Sequence, residues 1–183
     1  MAENPKPKLG HLGVYVLDVD RMVDFYSNVV GLLVTDRGRV GPDKMELVFM
    51  SADPTEHHQF ALMEGRADDG GFNVIQQMSF RVDTLEELRL LYSRLADSDA
   101  RIERSVTHGN AWSVYFYDPE GNRGEVYCHT PWHVPQPHVF PIDMSLSNEE
   151  IMMQTEAHCR ADPGFKPVAD REREMADMMR RDD

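Results

Sequence analysis

Three polar side chains in otherwise apolar surroundings carry the chemistry of this sequence. His11 opens the run HLGVYV, Gln77 opens QMSFRV, and Glu125 stands in RGEVYC between Gly124 and Val126. A carboxylate in an apolar strand is costly to bury unless it is paired or bound to a cation. His, Gln and Glu together make a mixed nitrogen and oxygen set suited to Fe(II), Mn(II) or Zn(II), and a three-ligand face leaves positions open for substrate. The alternative is structural, with His11 a half-exposed histidine at a strand end and Glu125 paired with Arg123 or Arg81. The choice turns on whether folding brings such distant residues to one point.

The elements that would do so emerge from a weak internal repeat. HLGVYVLDVDRMVDFYS from His11 aligns with QMSFRVDTLEELRLLYS from Gln77 at an offset of 66. Val14 meets Phe80, Met22 meets Leu88, and Tyr26-Ser27 meets Tyr92-Ser93. Each copy opens with apolar residues at period two, a strand, then changes to spacings of three and four, an amphipathic helix. Asp20 and Thr84 are the expected caps near the helix starts. Two further strands follow in each copy, then Asp53-Pro54 or Asp118-Pro119 at an offset of 65, a turn and a last strand. The last strands are HHQFALME from His57 and RGEVYCHT from Arg123. Each half reads β-α-β-β-β, and ADDGGFN with Gly70 and Gly71 joins them. Two such units each leave a sheet edge open and need each other to close a core. Packed about a pseudo-twofold axis, they bring equivalent positions together around a shared cleft.

From about residue 130 the repeat stops. TPWHVPQPHVFPID is Pro-rich and reads as extended. SLSNEEIMMQTEAHC reads as a helix with Ser147 and Glu150 at capping-box spacing, and a charged, frayed or helical tail follows Pro163-Gly164. The expected organisation is an α+β domain over 1–145, with modules of about 8–66 and 74–130, and a helical tail over 146–183. Such a tail either packs on a partner subunit or site, giving a homo-oligomer, or lies on the surface.

Composition narrows the function. The 183 residues hold 32 acids against 19 Lys and Arg, a formal net charge of −13, with no basic stripe. Nucleic acid and anionic membrane surfaces are therefore not expected partners. The apolar fraction of 41% suffices for a core. Cys128 and Cys159 are too few for a disulfide framework and too distant for a thiolate metal site. With no signal-like or membrane-length apolar run, a cytoplasmic protein with reduced thiols is expected. Met45, Met50, Met63 and Met78 on expected strands are read as core fillers.

HLGVYVLDVDRMVDFYSNVVGL resembles the opening of a vicinal-oxygen-chelate module, and YFYDPEGNRGEVY resembles the close of one. This superfamily holds glyoxalases, epimerases, fosfomycin-resistance enzymes and extradiol dioxygenases. The resemblance spans about residues 8–130 and implies metal ligation by His11 and Glu125, with Gln77 at the intervening ligand position. HHQFALME is similar to the HH-x-x-A-L segment of extradiol dioxygenases, which places His58 beside dioxygen. His108-Gly109-Asn110 is similar to their H-x-N segment, Tyr115 has the spacing of their substrate-facing tyrosine, and PWHVPQPH resembles the tails of single-domain catechol dioxygenase homologues. The resemblance thus implies ring opening of a catechol-type aromatic diol by dioxygen. Fe(II) is the expected metal, with Mn(II), Zn(II) and Ni(II) as alternatives.

In that reading His58 moves a proton around bound dioxygen, while His108 and Tyr115 donate hydrogen bonds to substrate oxygens. Asn110 and His57 contact substrate. Against these roles stand an exposed turn pair for His57 and His58, a core aromatic for Tyr115 and a plain loop residue for His108. Gln77 departs from the pattern, because extradiol dioxygenases carry histidine there, whereas glyoxalase-type members use glutamine. Phe60 takes the place of a fourth, glyoxalase-like ligand at an offset of 65, or Gln59 if the register slips. The competing readings are a metal-dependent lyase or isomerase of the glyoxalase type and a non-catalytic small-molecule binding module.

Overall fold

The computed structural model describes residues 9–67 and 75–181. Strand β1 (Leu12–Val16) leads into α1 (Val19–Phe25), then β2 (Leu33–Val40), β3 (Met45–Ser51) and β4 (Phe60–Glu64). The order recurs in β5 (Met78–Arg81), α2 (Leu85–Ala96), β6 (Arg101–Thr107), β7 (Ala111–Tyr117) and β8 (Arg123–His129). The repeat seen in the sequence is therefore two βαβββ modules of an α+β fold. The expected Gly70-Gly71 linker lies outside the described residues.

Local chemistry fixes the helix starts. Thr84 caps α2 in a reciprocal box with Glu87, as its position in the repeat suggested. The cap of α1 is Asp18 rather than the expected Asp20. Asp18 is extended, and its carboxylate accepts the Arg21 amide at 3.0 Å. Asp20 already lies in the first turn, where its charge favours the helix N-terminus and meets Arg37. The chain then passes through a π-helical turn, Tyr26–Val30, ended by Gly31 at φ 94, where a side chain would be strained.

Each module forms its own sheet. In the first the order is β1-β4-β3-β2, with β1 and β4 parallel. The second adds a short β10 (Phe140–Pro141) to give β10-β6-β7-β8-β5, with β5 and β8 parallel. Leu12 pairs with Phe60, and its repeat counterpart Met78 pairs with Gly124. Gly13 and Ala61 are consequently the equivalents of Ser79 and Glu125. This corrects the offset of 65 by one residue. Ala61, not Phe60 or Gln59, occupies the place of a fourth ligand, so no donor stands there. Phe60 points into the core, and Gln59 is held by the Ala52 amide at 3.0 Å.

The core is shared by both modules. Val19, Met22 and Phe25 of α1 and Leu85, Leu88, Leu91 and Leu95 of α2 are buried, as the three-and-four spacing requires. An aromatic chain crosses between modules: Tyr26 lies 4.6 Å from Phe60 and 5.9 Å from Phe80, and Phe25 lies 6.1 Å from Phe116. Each such side chain contributes about 1.5–3 kcal/mol through its buried area. The Tyr26 hydroxyl donates to Asp118 at 2.9 Å, and the Glu120 carboxylate accepts the Leu17 and Asp18 amides at 2.8 and 2.7 Å. The Asp-Pro turn of the second module thereby clamps the end of β1.

The tail is ordered around the second module. Strand β9 (Trp132–His133) pairs with β11 (Lys166–Pro167), and α3 (Asn148–Arg160) and α4 (Val168–Arg181) complete it. Ser147 and Glu150 form the expected capping box. Trp112 donates from its indole nitrogen to Thr155 of α3 at 3.0 Å in a buried contact. Cys128 and Cys159 are free and buried, and burial pushes the Cys128 thiol up to about 12. Among the described residues no helix is long and apolar enough to cross a membrane.

Candidate metal centre and substrate cleft

Cross-strand partners share a face of a sheet. The register sets Arg104, Tyr115, Glu125 and Ser79 in one row across β6, β7, β8 and β5. Their neighbours along the strands, Val114, Phe116 and Val126, point the other way into the core. The row therefore lies on the face away from the hydrophobic interior.

Glu125 is its centre, with only 7% of its surface exposed. One carboxylate oxygen accepts Ser79 Oγ at 2.6 Å and Gln77 Nε2 at 3.0 Å. The expected alternative of pairing with Arg123 is not what the structure shows. Arg123 gives Nε to Glu103 at 2.8 Å and Nη1 to the Gln77 oxygen at 2.7 Å, and stacks 4.2 Å above the Tyr115 ring. Among the described residues no base forms an ion pair with Glu125, so two neutral donors, Ser79 and Gln77, satisfy a buried charge, with the Tyr115 hydroxyl beside them. Gly124 makes this possible: a Cβ there would sit 2.3 Å from Phe116 Cζ, so the strand closes onto the ring only with glycine.

Tyr115 and His108 extend the row. Burial, followed by the hydrogen bond to Glu125 and its charge, pushes the Tyr115 phenol up to about 12. Its hydroxyl lies 2.9 Å from His108 Nε2, while His108 Nδ1 lies 2.9 Å from the His138 carbonyl. A carbonyl only accepts, so Nδ1 carries a proton, and neutral His108 offers a bare Nε2 to the Tyr115 hydroxyl. When His108 is protonated, the hydroxyl accepts from Nε2 and donates to Glu125 instead. Gly109, at φ 77, passes under Val134 where no side chain fits, which fixes the turn that presents His108. His108, Asn110, Ser79, Glu125, Tyr127 and Gln136 line a cleft of about 290 Å³.

His11, His57 and His58 gather on the first module. The exposed His11 ring lies 4.4 Å from His58, which rests 4.7 Å from Phe49. His57 and His58 occupy the turn before β4, with their Nδ1 atoms 2.9 Å apart, so one donates and the other accepts. Burial, then the neighbouring His11 and His57, holds His58 below the ordinary histidine value. Among the described residues no hydrogen bond, ion pair or ring contact joins this cluster to the Glu125 row. Nor do three His, Cys, Asp or Glu side chains among them converge closely enough to hold a metal. The structure thus brings together Gln77, Glu125, Tyr115 and His108, and separately His11, His57 and His58.

Ser79, Arg104 and Gln136 belong to this region and were not singled out from sequence. Ser79 carried a signal, lying two residues beyond Gln77 on the same strand face. Arg104 carried none, because a register shift between Ile102 and Arg104 decides which way it points.

Residues 8–126 match the Glyoxalase/Bleomycin resistance protein/Dioxygenase superfamily, and the chain belongs to it. It is 26% identical over 144 residues to a 1,2-dihydroxynaphthalene dioxygenase from Sphingobium xenophagum, covering 71% of this chain and 44% of that protein. It is 27% identical over 120 residues to a biphenyl-2,3-diol 1,2-dioxygenase from Rhodococcus globerulus, covering 63% of this chain and 60% of the relative. The chain thus spans about half the length of these relatives. Among solved structures, a glyoxylase/bleomycin resistance protein/dioxygenase domain from Frankia sp. EAN1pec superposes with a TM-score of 0.58 at 22% identity, covering 69% of this chain and all of that one. The fosfomycin resistance protein FosX of Listeria monocytogenes, solved with Mn(II) and sulfate, gives 0.53 at 17% identity, covering 69% of this chain and 95% of that one. These structures share the fold.

Proposed function

We propose that the chain is a metal-dependent extradiol dioxygenase that opens the ring of a catechol-type diol with dioxygen. The observation that carries this reading is the buried Glu125 carboxylate, without a cationic partner among the described residues, joined through Tyr115 to His108 at the edge of a cleft. A divalent ion fits that carboxylate, since it would supply the missing counter-charge. Gln77 fits once its amide is turned, so that oxygen rather than nitrogen faces Glu125, at the cost of the hydrogen bond its oxygen now accepts from Arg123 Nη1. His11 is the third proposed ligand. It stands with His58 at the edge of the first sheet, whose open face exposes Tyr15 by 56% and Leu33 by 71%. A second copy docked on that face would bring an imidazole to Glu125, and a homo-oligomer is part of this proposal.

Fe(II) held there would supply chelation of the diol and electron transfer to dioxygen. The remaining work falls to side chains. The bare Nε2 of His108 accepts a proton passed through the Tyr115 hydroxyl from a substrate phenol, and Asn110 contacts the substrate beside it. Tyr115, protonated throughout the neutral range, then donates to the oxygen where negative charge grows. His58, kept neutral by its surroundings, is ready to take a proton near dioxygen, with His57 adjoining.

The test is anaerobic loading with Fe(II), followed by exposure of catechol, 2,3-dihydroxybiphenyl and 1,2-dihydroxynaphthalene to oxygen. A yellow ring-opened product with matching oxygen uptake is expected. Bound iron with no oxygen uptake on any diol would overturn the reading. A second reading, a lyase or isomerase of the glyoxalase type, is favoured by the neutral oxygen donor Gln77. Turnover that persists without oxygen, with Mn(II), Ni(II) or Zn(II), would select it.

A further inference from the structure

Next to the diol cleft lies a second one of about 770 Å³, bounded by Arg104, His108, Gln136, Pro137, His138 and Val139. His108 and Gln136 line both, so the two clefts meet at that pair. Of the two arginines stacked on Tyr115, Arg123 meets the carboxylate of Glu103, while Arg104 forms no ion pair among the described residues and is the arginine that lines this cleft. Its guanidinium carbon is 5.1 Å from the centre of the Tyr115 ring, a cation–π contact, and its N–H groups make no hydrogen bond among the described residues, so they remain to meet a ligand. Across the cleft the segment joining β9 to β10, a strap over its side, supplies uncharged Gln136, Pro137 and Val139. His138 is held below the ordinary histidine value by burial and then by His158, which keeps it neutral near pH 7.

We propose that this second cleft is a subsite for a carboxylate borne on the substrate, with Arg104 as the residue that recognises it. The substrate class is then catechols carrying a short acidic side chain. This rests on the ring-opening reading for the diol and adds the substituent. The register sets the scale. Arg104 and Glu125 flank Tyr115 in one row, two strand spacings or about 10 Å apart. A diol seated at Glu125 with a carboxymethyl group on the far side of its ring spans such a distance. The guanidinium presents paired donors that match a carboxylate in plane. Arg123 already has a carboxylate partner, with its Nε held by Glu103 at 2.8 Å, and it does not line this cleft. A net charge of −13 repels anions at a distance, but salt screens this beyond about 10 Å, so short-range recognition decides.

The experiment compares 3,4-dihydroxyphenylacetate with its methyl ester by anaerobic calorimetric titration of the full-length, Fe(II)-loaded protein. The acid is expected to bind about 5–10-fold more tightly than the ester, as for a partly solvated charged hydrogen bond. Arg104→Gln should abolish the preference by weakening only the acid, and Arg104→Lys should restore part of it. Equal binding of acid and ester, or a preference that survives Arg104→Gln, overturns the subsite. Loss of the ring-opening reading would look different, with no yellow product from either compound while the acid preference persists.

Discussion

Replacing Glu125 by glutamine should change stability in opposite directions with and without metal. In the metal-free chain the carboxylate is 7% exposed and held by neutral donors, with Ser79 at 2.6 Å and Gln77 at 3.0 Å. Glu125→Gln keeps the volume and removes the charge. Relief of desolvation is worth about 1–3 kcal/mol, against about 1 kcal/mol for weakening a charge-assisted bond from Ser79. The balance is a gain of about 1 kcal/mol, which in a chain of this length raises Tm by about 2–4 °C. Metal reverses the order. At a concentration 100 times its Kd, an ion bound only to the folded state adds about 2.7 kcal/mol, or about 5–10 °C. Thermal melts of both proteins, after chelation and again with Mn(II), read all four values. The variant should melt above wild type when stripped and show no response to metal. A stripped variant that melts several degrees lower, and still gains from Mn(II) as much as wild type, would refute both the uncompensated charge and its role as ligand.

Tyr115→Phe should lower kcat about 100-fold with little change in affinity for the diol; because burial and Glu125 hold the wild-type phenol near 12, neither protein should show a basic limb from this group below about pH 11. Inactive His11→Ala and Glu125→Ala proteins, mixed after partial unfolding, should regain about a quarter of wild-type activity, because half of the dimers would carry one intact shared site; a mixture that stays inactive while both variants fold and associate would show that each chain completes its own site. His138 has a folded pKa below its ordinary value, so it binds fewer protons folded than unfolded, and its contribution is present above about pH 6.5 and lost as pH falls through the folded value. Acidification should therefore loosen the strap near Trp112 and Trp132, seen as a fluorescence change between pH 7.5 and 5, and His138→Leu should remove it.

Much of the fold is written locally in the chain. The change from period two to spacings of three and four marks each strand and helix, because burial of one face imposes that rhythm on adjacent residues. The boxes at Thr84 with Glu87 and Ser147 with Glu150 depend only on neighbours. The duplicated order of elements, and Gln77 and Glu125 as neighbours in the second module, follow from the same local signals once the repeat is aligned. The cap of α1 escaped because two aspartates stand two residues apart and only the backbone angle at Asp18 separates them.

What the tertiary structure decided is long-range. Strand register made Ala61 the counterpart of Glu125, a matter of pairing between strands that no local pattern encodes. A register shift in β6 turned Arg104 onto the row of Tyr115 and Glu125, and the His138 carbonyl set the tautomer of His108, whose own carbonyl accepts from Gln136. Sequence alignment made His11 and Gln77 equivalent in the repeat, but equivalence is not proximity. Among the described residues no hydrogen bond, ion pair or ring contact joins the two, and the packing of Tyr26 against Phe60 and Phe80 sets how the two sheets lie, since apolar burial is far larger than any single polar contact.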